Sequence, residues 1–260
     1  MVSAFRIPHS AFLPDEGPGM KSTQPYAPES GASAQIPGTV AAGPREMLPY
    51  VVPMLTFLVL TNLEGYLPGQ GWYPPAYAAK VLVVAVVAWC FRSTWADLRP
   101  IPPAPTLLLA TMVGLIVFVL WVRLEGWYPA LGFLGKRTSF DPFTLDARWR
   151  WPFIAIRLTG LVLLVPLIEE LFWRSFLVRW LIDPDFWKVP IGRMTPLAAG
   201  VTSAIFAFSH PEWLPALLTG LLWAWLLWQT KSLSACVLSH SVANLALGLH
   251  VLATRDFRYW

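Results

Sequence analysis

A chain of 260 residues that is 56% hydrophobic and only 13% charged, with a mean hydropathy of +0.53, has too little polar surface for a water-soluble domain and reads as a polytopic membrane protein. The net charge of +4 and isoelectric point near 9.2 do not indicate a nucleic-acid partner, because the basic residues stand between apolar runs as loop charges do in membrane proteins. Its two cysteines, Cys90 and Cys236, lie inside apolar runs and form neither a CxxC pair nor a disulfide framework.

In chain order, residues 1–46 are rich in Gly, Pro, Ser and Ala with no apolar run, which predicts a disordered N-terminal tail. No signal-peptide core follows Arg6, so the first span is expected to direct insertion. Apolar segments at 47–67, 75–91 and 105–122 each approach the ~20 residues a helix needs to cross a bilayer. Arg92, Asp97 and Arg99 form a polar connection between the second and third. The stretches LEGYLP at 63–68 and LEGWYP at 124–129 echo each other, too briefly to define a repeat. Trp72, Tyr73, Trp127, Tyr128, Trp149 and Trp151, at the ends of apolar runs, are expected at headgroup level. Residues 123–150 carry Lys136, Arg137, Arg148 and Arg150 around an apolar patch at 130–134 that is too short to span, a surface or re-entrant segment.

The fourth segment, 151–182, is longer than one crossing and has Pro166 at its middle, which predicts a kink and a freed backbone carbonyl near Val162. A fifth span at 195–210 ends at Pro211, a sixth covers 213–228, and a tight turn at 229–232 leads to a seventh at 233–253. The expected fold is an all-α polytopic membrane helix bundle of about seven (six to eight) transmembrane helices, a single domain over 47–260. Leaving out the basic 123–150 loop, the Lys and Arg counts favour an N-terminus on the inside.

Charges inside such segments cost at least a few kcal/mol each and mark function. Glu170 and Arg174 are four apart and can pair, whereas Glu169 points about 100° away from Glu170. Glu169 lies twelve residues from both Arg157 and Leu181, or roughly 18 Å from each, at mid-membrane depth. Phe206 with His210, and His240 with Asn244, are also four apart and share a helical face. Glu169 and His210 can activate a water while His240 and Asn244 donate to an oxyanion, in a cavity expected between the fourth, fifth and seventh spans. His250 faces another way. Taken alone, Glu170 with Arg174 reads as a structural ion pair, His240 with Asn244 serves equally as interhelical hydrogen bonding, and Phe206 and Cys236 read as packing residues.

Together the motifs Glu169-Glu170-Leu171-Phe172-Trp173-Arg174, Phe206-Ala207-Phe208-Ser209-His210 and His240-Ser241-Val242-Ala243-Asn244 resemble the EExxxR, FxxxH and HxxxN pattern of the CAAX protease and bacteriocin-processing (CPBP, or Abi) family of intramembrane endopeptidases. Pro166 before the glutamates and the Lys231-Ser232-Leu233 lead into the third motif fit the same pattern, and the likeness covers about residues 150–250. The resemblance implies a membrane-anchored protein or peptide as substrate, Glu169 as catalytic glutamate, His210 as its partner, His240 and Asn244 as the oxyanion site, and no metal or cofactor. Ser175 departs from the glycine common after the arginine. The front half is similar to a CAAX-protease-related subgroup found beside bacterial exosortase systems, which implies the bacterial inner membrane. Two other classes stay open: a non-proteolytic immunity or scaffold protein, and a zinc hydrolase using the same Glu and His residues, although no HExxH is present.

Overall fold

The computed structural model describes residues 44–134 and 139–259. The predicted tail up to residue 43, Lys136 and Arg137 lie outside the described residues. The chain is an all-α polytopic membrane bundle, with α1 at Pro44–Glu64, α2 at Tyr73–Cys90 and α3 at Ala104–Arg123. The fourth apolar segment is one continuous run divided by its hydrogen bonding: α4 (Ala147–Thr159), a π-helix (Gly160–Leu164), α5 (Val165–Glu170), a second π-helix (Leu171–Leu177) and α6 (Val178–Ile182). Then follow α7 (Pro196–Phe208), α8 (Trp213–Thr230) and α9 (Leu233–Thr254). Each of the seven predicted apolar segments is thus helical. Five stretches among the described residues are long and apolar enough to cross a membrane: Arg45–Glu64, Gln70–Cys90, Ala104–Arg123, Ala147–Ile182 and Leu233–Thr254. The 13 residues of α7 reach only about 20 Å at the rise of an α-helix.

Proline and hydroxyl residues set the helix ends. Pro74, Pro105 and Pro196 sit in first turns, where a missing N–H costs nothing. Thr195 caps α7 by accepting from the Ala198 amide at 3.1 Å, and Ser232 caps α9 by accepting from Ala235 at 3.3 Å. Between α8 and α9 a single residue, Lys231, turns the chain in a left-handed conformation (φ 54°), and its ammonium donates to the Gly192 carbonyl at 2.9 Å.

Buried and exposed faces of these helices are equally apolar, as lipid-facing helices require. On α3, Ala110, Val113, Gly114, Val117 and Trp121 face inward, while Leu108, Met112, Ile116 and Val119 are exposed on the opposite side. Where water gives no driving force, close backbone approach must hold helices together. A Cβ on Gly114 would stand 2.4 Å from the Ser239 carbonyl oxygen on α9, and one on Gly220 would stand 2.9 Å from the Ser203 Cα on α7. Gly114→Val is therefore expected to push α3 off α9 beside His240, at a cost of about 1–3 kcal/mol or more. A thermal unfolding midpoint in detergent equal to that of wild type would contradict this.

The interfacial expectation fails for one aromatic. Trp72, Trp127, Trp149 and Trp151 are exposed, but Tyr73 is buried, packed against Tyr77, Phe140 and Phe153. Its hydroxyl accepts a hydrogen bond from the buried Arg157 of α4, which draws it inward instead of to the headgroups.

Candidate active site

The two π-helices flank the glutamates. In the first, the Val165 amide donates to the Gly160 carbonyl, five residues back. The next donor in that register would be residue 166 to the Leu161 carbonyl, and Pro166 has no N–H. The carbonyl left open is therefore that of Leu161, beside the Val162 that an α-helical register predicts. Asn244 fills it: Nδ2 donates to the Leu161 oxygen at 2.8 Å. Because that oxygen can only accept, the amide orientation is fixed, with one hydrogen committed and one left over. Asn244→Ala reopens a half-buried carbonyl and is expected to lower unfolding free energy by about 1–3 kcal/mol. Denaturation of the variant in detergent tests this, and wild-type stability would mean that the Leu161 carbonyl finds another donor.

Glu170 is fully buried and divides its two oxygens between neighbours on different elements. Oε2 faces Arg174 Nε at 3.3 Å, and Oε1 faces His240 Nδ1 at 2.9 Å. The i, i+4 pairing expected from the sequence is present, and Glu170 also reaches across to α9. Trp223 of α8 is the common platform, a residue the sequence reading passed over. Its ring stacks on His240 (4.3 Å between centroids, 28° between planes), carries the Arg174 guanidinium at 5.1 Å, and donates through Nε1 to Ser239 at 3.0 Å. The Phe206 ring, itself edge-on to Trp223, also lies against that guanidinium at 4.9 Å.

Glu169 is also buried, and its Oε2 has no hydrogen-bond partner among the described residues. The helix carrying Phe206 stops at Phe208, short of the predicted His210. Ser209 and Pro211 account for the stop: the serine hydroxyl donates to the Phe206 carbonyl at 2.7 Å, and the proline cannot continue the hydrogen-bond ladder. A tightened last turn, with the His210 amide on the Ala207 carbonyl, still brings the Phe206 and His210 rings to 4.5 Å. His210 Nδ1 lies 2.8 Å from the Phe206 carbonyl and 3.0 Å from the Ser209 hydroxyl; the tautomer that donates from Nδ1 to the carbonyl leaves Nε2 as an acceptor.

Glu169, His210, His240 and Asn244 line one cavity of about 510 Å³. The expected enclosure by three spans is too narrow: α1, α2, α3 and α8 contribute as well. With α4, α1 and α2 bring a second polar wall that was not expected from the sequence, in which Lys80 pairs with Glu64 at 2.7 Å and both Lys80 and Arg157 lie over the Tyr77 ring at 4.6 and 4.7 Å. A lysine inside the apolar stretch 73–90 was the available signal. His250 does not line this cavity but packs behind Phe118 and Tyr259, which do, and Cys236 is core, its thiol near the Trp223 carbonyl. Among the described residues no three His, Cys, Asp or Glu side chains group as metal ligands.

Residues 150–246 match the family model described as type II CAAX prenyl endopeptidase, Rce1-like. No curated protein and no solved structure matches the chain. The matched segment runs from α4 into α9 and contains Glu169, Glu170, Arg174, Phe206, His210, His240 and Asn244, while α1 to α3 precede it. Over that segment, somewhat more than a third of the chain, the protein is similar to the Rce1-like type II CAAX prenyl endopeptidases.

Proposed function

We propose that this protein is an endopeptidase of the bacterial inner membrane that hydrolyses a peptide bond of a membrane-anchored protein or peptide with a water activated by Glu169. The supporting observation is that four polar side chains from the fourth segment, the α7–α8 connection and α9 share one cavity, while the second glutamate is taken up by Arg174 and His240. This division leaves Glu169 as the carboxylate available to a reacting water.

The attacking water donates one hydrogen to Glu169 and the other to the Nε2 edge of His210. As its oxygen bonds to the scissile carbonyl carbon, its proton passes to Glu169 and the carbonyl oxygen becomes an oxyanion. The charged form of His240, with Glu170 as counter-ion on Nδ1, offers Nε2–H to that oxygen. Asn244 offers the amide hydrogen that Leu161 does not use. Glu169 then hands its proton to the leaving nitrogen as the C–N bond breaks, giving a carboxylic acid and an amine. All groups in this scheme belong to the chain, so it uses no metal or cofactor.

The test compares protein N-termini in membranes from cells carrying the wild type and cells carrying Glu169→Gln at equal expression. N-termini that vanish in the variant are expected, and they name the substrate. Identical profiles would favour the immunity or scaffold reading. A stoichiometric metal whose removal abolishes cleavage would favour the zinc hydrolase.

A further inference from the structure

Ser175, the residue that departs from the glycine of the first motif, has its partner outside the matched segment. It is fully buried, and its hydroxyl donates to Asp97 Oδ2 in the 3-10 segment Arg92–Leu98 that connects α2 to α3. The same carboxylate oxygen accepts from Arg179 Nη2 at 2.8 Å and from the Tyr50 hydroxyl of α1 at 2.8 Å. Arg179, itself buried, donates through Nε to the Ser175 backbone carbonyl, through Nη2 to the Ser175 hydroxyl at 2.7 Å, and through Nη1 to the Val189 carbonyl at 3.4 Å. One carboxylate thus grips both the side chain and, through the arginine, the main chain of Ser175.

What is gripped is a π-turn. Its five-residue hydrogen bonds, such as Val178 N–H to the Trp173 carbonyl, are the uncommon alternative to α-helical ones and need support from side chains. Arg174 belongs to this turn and immediately precedes Ser175. Its guanidinium meets Glu170, and Glu170 meets His240. Relaxation of the turn to α-helical register would re-aim Arg174, because adjacent residues differ in direction by about 100°.

We propose that Asp97 is a positioning residue for the Glu170–His240 pair, acting from the α2–α3 connection through Ser175 and Arg179 on the π-turn that carries Arg174. The proposal rests on the role assigned above to His240, but its test does not require activity. In full-length protein labelled with ¹⁵N-histidine in detergent, the Nδ1 proton of His240 reports its hydrogen bond to Glu170. Ser175→Ala removes the direct hydroxyl link from Asp97 to the turn and leaves in place the Asp97–Arg179 pair and its bond to the main-chain carbonyl at 175. This variant is expected to shift or broaden the His240 signal while the unfolding midpoint stays near that of wild type. Asp97→Asn should do the same, and Asp97→Glu should restore the signal in part. Tyr50→Phe, which removes a hydroxyl donor to Asp97 but keeps the ring stacked on Phe176 of the turn, should leave it unmoved.

With the substrate found by the N-terminal comparison, Ser175→Ala should lower kcat about ten- to a hundredfold at unchanged KM, the scale of a small misplacement of a catalytic group. A His240 signal that coincides with wild type in Ser175→Ala overturns the proposal, and so does one that moves as much in Tyr50→Phe. If no proteolysis is found at all, the catalytic reading falls, while the resonance still decides whether Asp97 sets the geometry of the pair.

Discussion

Glu169→Gln is expected to abolish peptide-bond hydrolysis and leave the bundle assembled. The proposed scheme uses this carboxylate twice, to take a proton from water and to return it to the leaving nitrogen, and an amide of the same shape can do neither. Loss of one general acid–base group costs about 10²–10⁴-fold, so a residue that makes both transfers belongs at the upper end. Stability should move the other way or not at all. Glu169 is buried, with one oxygen lacking a partner among the described residues, so the native charge is held against its desolvation cost and a neutral amide removes that cost. The measurements are turnover of the substrate named by the N-terminal comparison and the unfolding midpoint in detergent. Activity lost at an unchanged or raised midpoint places Glu169 in the chemistry. Activity lost together with several degrees of midpoint would make the residue structural, and retained activity would end the water-activation scheme.

The helices and the pairings within one helix were legible in the sequence, because both follow from periodicity and length. Glu170 with Arg174 is such a case, and so is the apolar face of α3. The bond from Glu170 to His240 was not legible: it joins residues 70 apart, and helical spacing says nothing about which face of α9 meets which face of the fourth segment. The π-turns were hidden for another reason. The stretches GLVLL and LFWRSFL contain nothing that distinguishes a five-residue from a four-residue hydrogen-bond step, so the carbonyl orphaned by Pro166 was placed one residue away from Leu161. Asp97 read as a loop charge because its partners, Tyr50, Ser175 and Arg179, come from α1 and the far end of the fourth segment. Lys80 and Arg157 could have been questioned sooner, since each is a cation within an apolar run. Tyr73 misled because the end of a run predicts headgroup level, whereas the Arg157 guanidinium offers its hydroxyl a partner inside the bundle.

Arg174→Met is expected to cost more stability than any other single change in the site. It removes the guanidinium from a fully buried carboxylate and leaves Glu170 with His240 alone. Breaking a buried charge pair from one side costs about 3–5 kcal/mol, because the remaining charge is neither solvated nor compensated. Arg174→Lys should recover only part of this: the ammonium keeps the charge but not the planar group that lies against the Phe206 and Trp223 rings while its Nε faces Glu170. The decisive variant is Glu170→Gln with Arg174→Met, which removes both charges. If the pair is held for function, the double variant should regain most of the stability lost by Arg174→Met, since a well-packed neutral pair is often no less stable than a buried ionic one. It should still fail to cleave, because His240 has lost the carboxylate that supports its charged form. A double variant as unstable as Arg174→Met would show instead that the arginine is needed for packing against Phe206 and Trp223. One that cleaves normally would remove Glu170 from the oxyanion argument and leave Asn244 to carry it.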